Sequence, residues 1–413
     1  MRRGNAAQRY VQRNHRPNVA AAARRSHPGL GRLRARPPCR ARPAQHVRVR
    51  IVNRLLRNLL LAGVLLPCAD RAQHNAADPR RAAELLSESA AGLQTLQGWY
   101  VEETGLWKTT GWWNAANGLT VLVDYAKLSD TPDLRATIAN TFDRNSQKNF
   151  LNEYNDDEGW WALAWAGAYE LTHEARYLAM AETIFADMAA GWDDTCGGGI
   201  WWKKPRQYKN AIANELFLSV AAKLASLTPD SDKRAGYLDW ARREWLWFAA
   251  SGMINSNNLV NDGLDATCHN NRRNTWTYNQ GVILGGLTML SAQSGDPKPL
   301  EAAQTIALSA MARLTDLDGV LHDTCEPARC GNDAPQFKGI FARNLAVLNA
   351  AVAVPGFRAF LRRNAESIWK NRDSDGRFGL VWSGPSEVKT AATQISALDA
   401  LVAAAVAEGA SGK

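Results

Sequence analysis

Residues 210–224 read NAIANELFLSVAAKL, and this stretch decides the fold. Wound at 3.6 residues per turn it is apolar or small on nearly every side, and a helix without a polar face is one surrounded by protein. Five further stretches share that character, and each follows an aromatic or Gly-rich loop. They are WWNAANGLTVLVDYAKL from Trp112, EGWWALAWAGAYEL from Glu158, TYNQGVILGGLTML from Thr277, GIFARNLAVLNAAV from Gly339 and TAATQISALDALVAAAV from Thr390. Between them runs an ordinary amphipathic series, starting near Arg81, Asp133, Ala175, Asp232, Pro299 and Phe357. In its first member Leu85, Leu86, Leu93 and Leu96 form the apolar stripe. The two series alternate strictly, six times, and alternating strand patterns are almost absent. Six amphipathic helices wrapped around six buried ones predict an all-α fold, an (α/α)6 barrel over residues 80–408. The buried members start 46 to 67 residues apart. The alternative, an open helical solenoid, would show more uniform repeats and polar capping units.

With 413 residues, 46% of them hydrophobic, the chain can bury a large core. The longest apolar run, residues 59–66, is too short to span a bilayer. The formal charge of +9 is unevenly placed: residues 1–80 hold 18 Arg and Lys against 2 Asp and Glu, and the remainder carries a net −7. The basic balance belongs to a tail, which argues against a nucleic-acid partner for the mildly acidic body. Residues 1–51, rich in Arg, Ala and Pro, lack apolar periodicity and read as a disordered basic tail. Residues 52–72 place Arg54 and Arg57 before an apolar core and then small and polar residues, the layout of a secretory leader. A short buried helix is the alternative. Translation is then expected to start near Val52, giving a secreted or periplasmic protein. Anchoring as a lipoprotein through Cys68 is disfavoured by Pro67.

Beyond the tail stand four cysteines, an even number that suggests two disulfides in an exported chain. Of three connectivities, Cys325–Cys330, closing a short loop, with Cys196–Cys268 is favoured. Zinc is disfavoured, because no CxxC is present and His173, His269 and His322 are scattered. Asp373-Ser374-Asp375-Gly376 opens like a calcium loop, but the remaining ligand positions do not fit. No metal and no cofactor is expected, and no Asn-x-Ser/Thr sequon occurs.

All 16 Trp lie at or after Trp99. The loops entering the buried helices concentrate them: Trp112 and Trp113, Trp160 and Trp161, Trp201 and Trp202, Trp276 with Tyr278, then Phe337 and Lys338. In a barrel these loops share one end and line one cleft. Convergent aromatic rings and carboxylates suit a sugar, whose apolar face stacks on a ring while polar groups take the hydroxyls. Asp156 and Asp157 directly precede one buried helix. Glycoside hydrolysis needs one carboxyl group to protonate the leaving oxygen and another to meet the oxocarbenium-like carbon. Amides at the helix N-terminus favour an ionised carboxylate, while a Trp160–Trp161 wall would raise the pKa of a carboxyl facing it. Plain helix capping, with Glu158 as a first-turn acid, is the alternative.

The motifs DDEGWWALAW, GGGIWW, NAIANELFL, WTYNQG and FKGIFAR occur in that order. Over roughly residues 85–405 the chain resembles glycoside hydrolase family 76. The resemblance implies a retaining endo-α-1,6-mannanase with an (α/α)6 barrel, Asp156 as nucleophile and Asp157 as general acid/base, acting on α-mannan or manno-oligosaccharides. Trp112, Trp113, Trp160, Trp201, Trp202, Tyr278, Asn279, Gln280 and Lys338 fall in the cleft loops and are candidates for sugar contact. Trp161, Asn214 and Glu215 fit a packing role equally well, and Asp193-Asp194 reads as a turn or subsite element. A cell-wall mannan transglycosylase and a non-catalytic glycan-binding barrel are the other readings. The ending ALDALVAAAVAEGASGK lacks an apolar tail after a polar spacer, so a lipid anchor is not expected, and a monomer is.

Overall fold

The computed structural model describes residues 77–412, apart from Asp130, Arg329 and Ala353; the basic tail and the leader with Cys68 fall outside the described residues. The amphipathic series forms α1 (Pro79–Gln97), α3 (Pro132–Asn145), α5 (Ala175–Ala189), α7 (Ser231–Ala250), α9 (Lys298–Arg313) and α11 (Pro355–Lys370). The apolar series forms α2 (Trp112–Leu128), α4 (Asn155–Thr172), α6 (Ala211–Leu227), α8 (Thr277–Ser294), α10 (Phe337–Ala351) and α12 (Ala391–Ala407). Burial separates them as the patterns predict. In α12 every residue but Val406 is buried. In α11 only one stripe is, through Phe357, Phe360, Leu361, Asn364, Ala365 and Ile368. The only ladder among the described residues pairs β1 (Tyr100–Val101) with β2 (Leu106–Trp107).

Consecutive inner helices pack side by side, and α12 returns to α2, which closes the ring and excludes the open solenoid. The closure relies on small residues. A methyl group on Gly167, Gly159, Gly286, Gly281, Gly339 or Gly118 would meet Val123, Leu216, Ser219, Phe341, Ser396 and Ile395 respectively, so each of the six inner contacts carries a glycine. At two of them the backbones themselves approach. A Cβ on Gly281 would lie 2.6 Å from Phe341 Cα, and one on Gly339 would lie 2.6 Å from Ser396 Cα. Outer helices then fill the grooves behind the ring, each apolar side chain buried there contributing about 1.5–3 kcal/mol.

A second device recurs at the fourth residue of four inner helices, where a polar side chain grips backbone of the loop leading in. Asn214 accepts from Ile200 N (2.7 Å) and donates to Ile200 O (3.0 Å). Gln280 does the same with Val260, at 2.7 and 2.8 Å. Gln394 accepts from Phe378 N at 2.9 Å, and Glu158 from Asn152 N at 3.0 Å. Each grip satisfies polar groups that would otherwise be buried unpaired, and fixes a loop to the rim of the barrel.

The rim loops are also tied covalently, by Cys196–Cys268 and Cys325–Cys330, as the cysteine count predicts. The Gly-rich loop after α5 wraps the buried Lys209 ammonium, which donates to Asp193 Oδ1 and to carbonyls of Asp193, Thr195, Gly198 and Gly199. Gly199 sits at φ +83° against the Trp247 ring, a conformation and a proximity that only glycine meets without strain. Toward the opposite end of the ring Glu170 takes Lys127 at 2.9 Å and Lys223 at 2.6 Å, and midway along the helices Arg343 pairs with the buried Asp399 at 3.0 Å.

Candidate active site

A cavity of about 130 Å3 lies between the inner helices, lined by Thr120, Trp160, Gly167, Ser219, Lys223, Val282 and Arg343 among others. Residues one helical turn N-terminal to these share their face, because side chains four apart stack along a helix. That places Asp156 above Trp160, Glu215 above Ser219 and Tyr278 above Val282. The three helices thus turn these groups toward one another at the N-terminal end of the ring.

Asp156 and Asp157 do not precede α4, as the sequence reading has it; they are the second and third residues of its first turn. The helix begins earlier because Asn152 turns the chain by accepting from Tyr154 N at 2.7 Å, while Asn155 Nδ2 donates to Trp201 O at 2.8 Å. Acids in a first turn gain from the helix dipole, so the early start is favourable. Both carboxyls are half-buried. Asp156 Oδ2 accepts from the Trp202 indole at 3.0 Å, while its Oδ1 is buried with no hydrogen-bond partner among the described residues. Asp157 Oδ2 accepts from Asn152 Nδ2 at 2.6 Å. Two adjacent carboxyls are therefore held by different donors.

Burial raises both carboxyls. Asp156 is pushed well above the usual carboxylate range by burial and by the charge of Asp157. The Trp202 indole and the backbone amides of Asp156 and Asp157 oppose that rise. Asp157 is raised to about 7 by burial, opposed by Asn152 and assisted by the charges of Asp333 and Glu153. Glu158, fully buried behind them, is also raised to about 7 by burial and accepts from Lys204 at 2.8 Å. Lys204 reaches Asp187 as well, at 2.7 Å, so it ties the loop carrying Trp202 to α4 and α5.

Aromatic rings surround the pair. Trp113 lies over Trp160, with centroids 5.5 Å apart and planes at 27°, and reaches Phe337 at 6.3 Å. Tyr278 stacks on Phe337 at 3.8 Å. Its hydroxyl is pushed far up by burial and by the charges of Asp262, Asp156, Glu215 and Asp333, which places all four carboxyl groups around this phenol. Trp202 stands beside Tyr154 at 5.2 Å and Tyr208 at 6.2 Å, and Tyr208 donates to Asp262 at 2.6 Å.

Other sugar-contact candidates are placed differently. Trp112 turns down into an aromatic cluster with Phe150 (5.8 Å) and Trp161 (4.8 Å). Trp160 is buried beneath Trp113 and forms floor rather than wall. Trp201 points away from Trp202, because alternate residues of an extended segment face opposite sides, and donates to Asp193 at 2.8 Å. Gln280 is not a sugar ligand: it is fully buried and its amide is spent on Val260 and Trp276 O. Lys338 is likewise withdrawn, buried in an ion pair with Glu326 at 2.7 Å and bonded to Leu380 O. Asn279 is fully buried, with neither amide atom bonded among the described residues. Asp193 is a loop anchor that takes Trp201, Arg206 and Lys209. Asp373 closes a turn on the backbone of Asp375 and Arg377, and no group of three potential metal ligands occurs among the described residues.

Sequence reasoning missed Asn152, Lys204 and Asp333. Asn152 lies only five residues before Asp157, where an amide able to form an Asx turn is a usable signal. Lys204 and Asp333 reach the site from separate loops.

The sequence profile of glycosyl hydrolase family 76 matches residues 88–412. Mannan endo-1,6-alpha-mannosidase DCW1 of Candida albicans is 29% identical over 269 residues, 58% of this chain and 59% of that protein. Its Saccharomyces cerevisiae namesake is 30% identical over 262 residues, 57% of each chain. The chain thus spans less than two-thirds of the length of these yeast relatives. Among solved structures, an inactive variant of the alpha-1,6-mannanase of a Salegentibacter species, with two consecutive aspartates replaced by alanine and alpha-1,6-mannotetrose bound, superposes with a TM-score of 0.70. It is 25% identical, and the match covers 78% of this chain and 99% of that one. Dfg5 of Chaetomium thermophilum shares the fold at a TM-score of 0.69 and 23% identity, over 78% of this chain and 90% of its own. With the family profile covering the whole closed ring, this chain belongs to glycosyl hydrolase family 76.

Proposed function

We propose that the protein is an exported glycoside hydrolase that cleaves α-1,6-mannosidic linkages by double displacement, with Asp156 as nucleophile and Asp157 as general acid/base. The observation that carries this is the unlike environment of two adjacent carboxyls at the mouth of the ring. Burial resists two charges, so at neutral pH the pair holds one proton between them. The Trp202 indole and the backbone amides of that turn favour the Asp156 anion, although burial and the charge of Asp157 outweigh them in raising its carboxyl; the nucleophile is assigned to Asp156 on its unengaged Oδ1 and on the family resemblance. Asp157 has one side-chain donor and faces Asp333 and Glu153, which favours its protonated form. An anion with one unengaged oxygen suits attack on the anomeric carbon, and a neighbouring acid near neutrality suits delivery of a proton to the leaving oxygen. The attack forms the glycosyl ester on Asp156 and breaks the glycosidic bond. Asp157 then takes a proton from the water that releases the sugar. The inactive double-aspartate variant of the Salegentibacter mannanase and its bound mannotetrose support both the pair and the substrate class. The two disulfides support export, and no described helix is long and apolar enough to cross a membrane.

The test uses Asp156→Asn and Asp157→Asn on α-1,6-mannan and on an aryl α-mannoside with an acidic phenol. Both variants should lose most turnover on mannan. Asp157→Asn should still form the glycosyl-enzyme with the aryl substrate and be rescued by azide. Proton NMR should show the α-anomer first in the unaltered enzyme. A β-anomer appearing first would exclude double displacement, and azide rescue of Asp156→Asn with retention of the α configuration, with none for Asp157→Asn, would exchange the two roles.

A further inference from the structure

Asp333 lies outside the adjacent carboxyl pair and is held in place with unusual care. It precedes a 3-10 turn, Ala334–Gln336, whose Gln336 forms a reciprocal amide pair with Asn114 of α2: Asn114 Nδ2 donates to Gln336 Oε1 and Gln336 Nε2 to Asn114 O, each at 3.0 Å. The segment just before it is closed by Cys325–Cys330, and the buried Glu326–Lys338 pair clamps it from behind. Trp113 donates its indole proton to Asp333 Oδ1 at 2.9 Å, and the same indole lies over Trp160, one turn below the aspartate pair on α4. Asp333 is exposed, and its Oδ2 makes no hydrogen bond among the described residues. A carboxylate anchored through one oxygen, with the other unbonded on an exposed residue beside an aromatic ring, is an acceptor prepared for a hydroxyl group.

We propose that Asp333 binds the departing sugar, accepting a hydrogen bond from a hydroxyl of the mannosyl unit on the leaving-group side of the cleft. This rests on the reading of Asp157 as the acid/base, since that group marks the side from which the leaving sugar departs. Asp333 has a second effect there. Its charge works with burial to keep Asp157 protonated near neutrality. The other titratable groups near Asp157 are Asp156 and Glu158 on its own helix and Glu153 and Tyr154 just before it, while Tyr278 across the cleft faces Asp156 and Asp333. Glu158 is occupied by Lys204, which leaves Asp333 as the carboxylate that approaches from another element.

Asp333→Asn tests this, since the amide oxygen can still accept from Trp113 while the charge is lost. For α-1,6-mannotetraose we expect kcat/KM to fall about tenfold, as for the loss of one charge-assisted hydrogen bond. An aryl α-mannoside with an acidic phenol, which places no sugar beside Asp333 and needs no proton, should lose less than about threefold. The alkaline limb of the mannotetraose pH profile should move to lower pH, because removing a negative neighbour makes Asp157 more acidic. Equal losses on both substrates, or an unmoved limb, would overturn the proposal. Calorimetry supplies a readout that does not require turnover: adding Asp333→Asn to Asp157→Asn should weaken mannotetraose binding about tenfold, and unchanged affinity would overturn the proposal. Failure of the hydrolase reading itself would appear separately, as an unaltered protein that releases sugar from neither substrate.

Discussion

Trp202→Phe separates two roles for this residue, sugar platform and partner of Asp156. The indole Nε1 donates to Asp156 Oδ2 at 3.0 Å, while the ring lies 5.2 Å from Tyr154 and 6.2 Å from Tyr208. Phenylalanine keeps an aromatic face and removes only the donor. A hydrogen bond to an ionised group is worth about 1.5–3 kcal/mol, so a bond retained through the transition state as charge leaves Asp156 contributes only part of that. Its larger effect is on the starting anion. Losing a donor raises the Asp156 pKa by about one unit for each ~1.4 kcal/mol lost. The acidic limb of the kcat/KM profile should therefore move up by about one to two units, because that limb marks loss of the nucleophile's proton. Near neutrality the expected loss in kcat/KM is about tenfold to a hundredfold, carried by kcat, with KM changed less than about threefold. Thermal unfolding should move little, since the half-buried ring is replaced by a ring. The assay is a pH series on α-1,6-mannotetraose with separate kcat and KM. A loss confined to KM, with the limb in place, would refute the argument and return Trp202 to the role of a platform.

Three further outcomes follow from the frame. Gly339→Ala should lower thermal stability by about 1–3 kcal/mol of overpacking, because its methyl would lie 2.6 Å from Ser396 Cα, and an unchanged melting temperature would mean that α10 and α12 can separate. Cys196→Ser with Cys268→Ser should cost more than Cys325→Ser with Cys330→Ser, about 4 against about 2 kcal/mol by loop closure over separations of 72 and 5 residues, as read from denaturant midpoints. Glu244 is fully buried with neither oxygen bonded among the described residues, and burial raises it well above the carboxylate range against the pull of Lys209 and Arg243. A carboxyl raised on folding stabilises most below its unfolded pKa and loses that contribution as pH climbs toward its folded value. Glu244→Gln should therefore raise the melting temperature at pH 8 and leave it nearly unchanged at pH 4; a uniform shift at both would show that packing, not protonation, decides.

The barrel was legible because its signal is local. α12 reads as apolar on every side and is buried on every side, and α11 shows one stripe and buries one stripe. Ring closure was legible only through the strict alternation, and the glycine at each inner contact becomes meaningful once neighbours are known. The grip at the fourth residue of α4, α6, α8 and α12 is the instructive failure. Glu158, Asn214, Gln280 and Gln394 are chemically different, and their equivalence appears only when the helix starts are aligned. Gln280 sits beside Tyr278 in the sequence and was expected to touch sugar, yet its position in the repeat assigns it to Val260. Position within the repeat outweighs adjacency to a cleft residue.

The same distinction governs the site. Two neighbouring aspartates on one helix share its dipole and its burial, so nothing in the dipeptide itself makes them unlike. What differs arrives from outside the helix: Trp202 from the Gly-rich segment to Asp156, Asn152 from the adjoining turn to Asp157, and Asp333 from the loop before α10 to the side where Asp157 stands. Each of those loops is fixed by its own anchor. Lys204 on Glu158 and Asp187 holds the first, Asn152 N on Glu158 the second, and Gln336 on Asn114 the third. Glu158 therefore serves both donors at once while remaining fully buried. Neutralising it as Gln would remove one of the two charges that hold Lys204, and so weaken the anchor of the Trp202 loop, leaving Asp187 as its partner. The division of labour between Asp156 and Asp157 is thus a property of the ring's rim rather than of the motif, which is why the motif marks where chemistry happens and the distant loops decide which carboxyl does what.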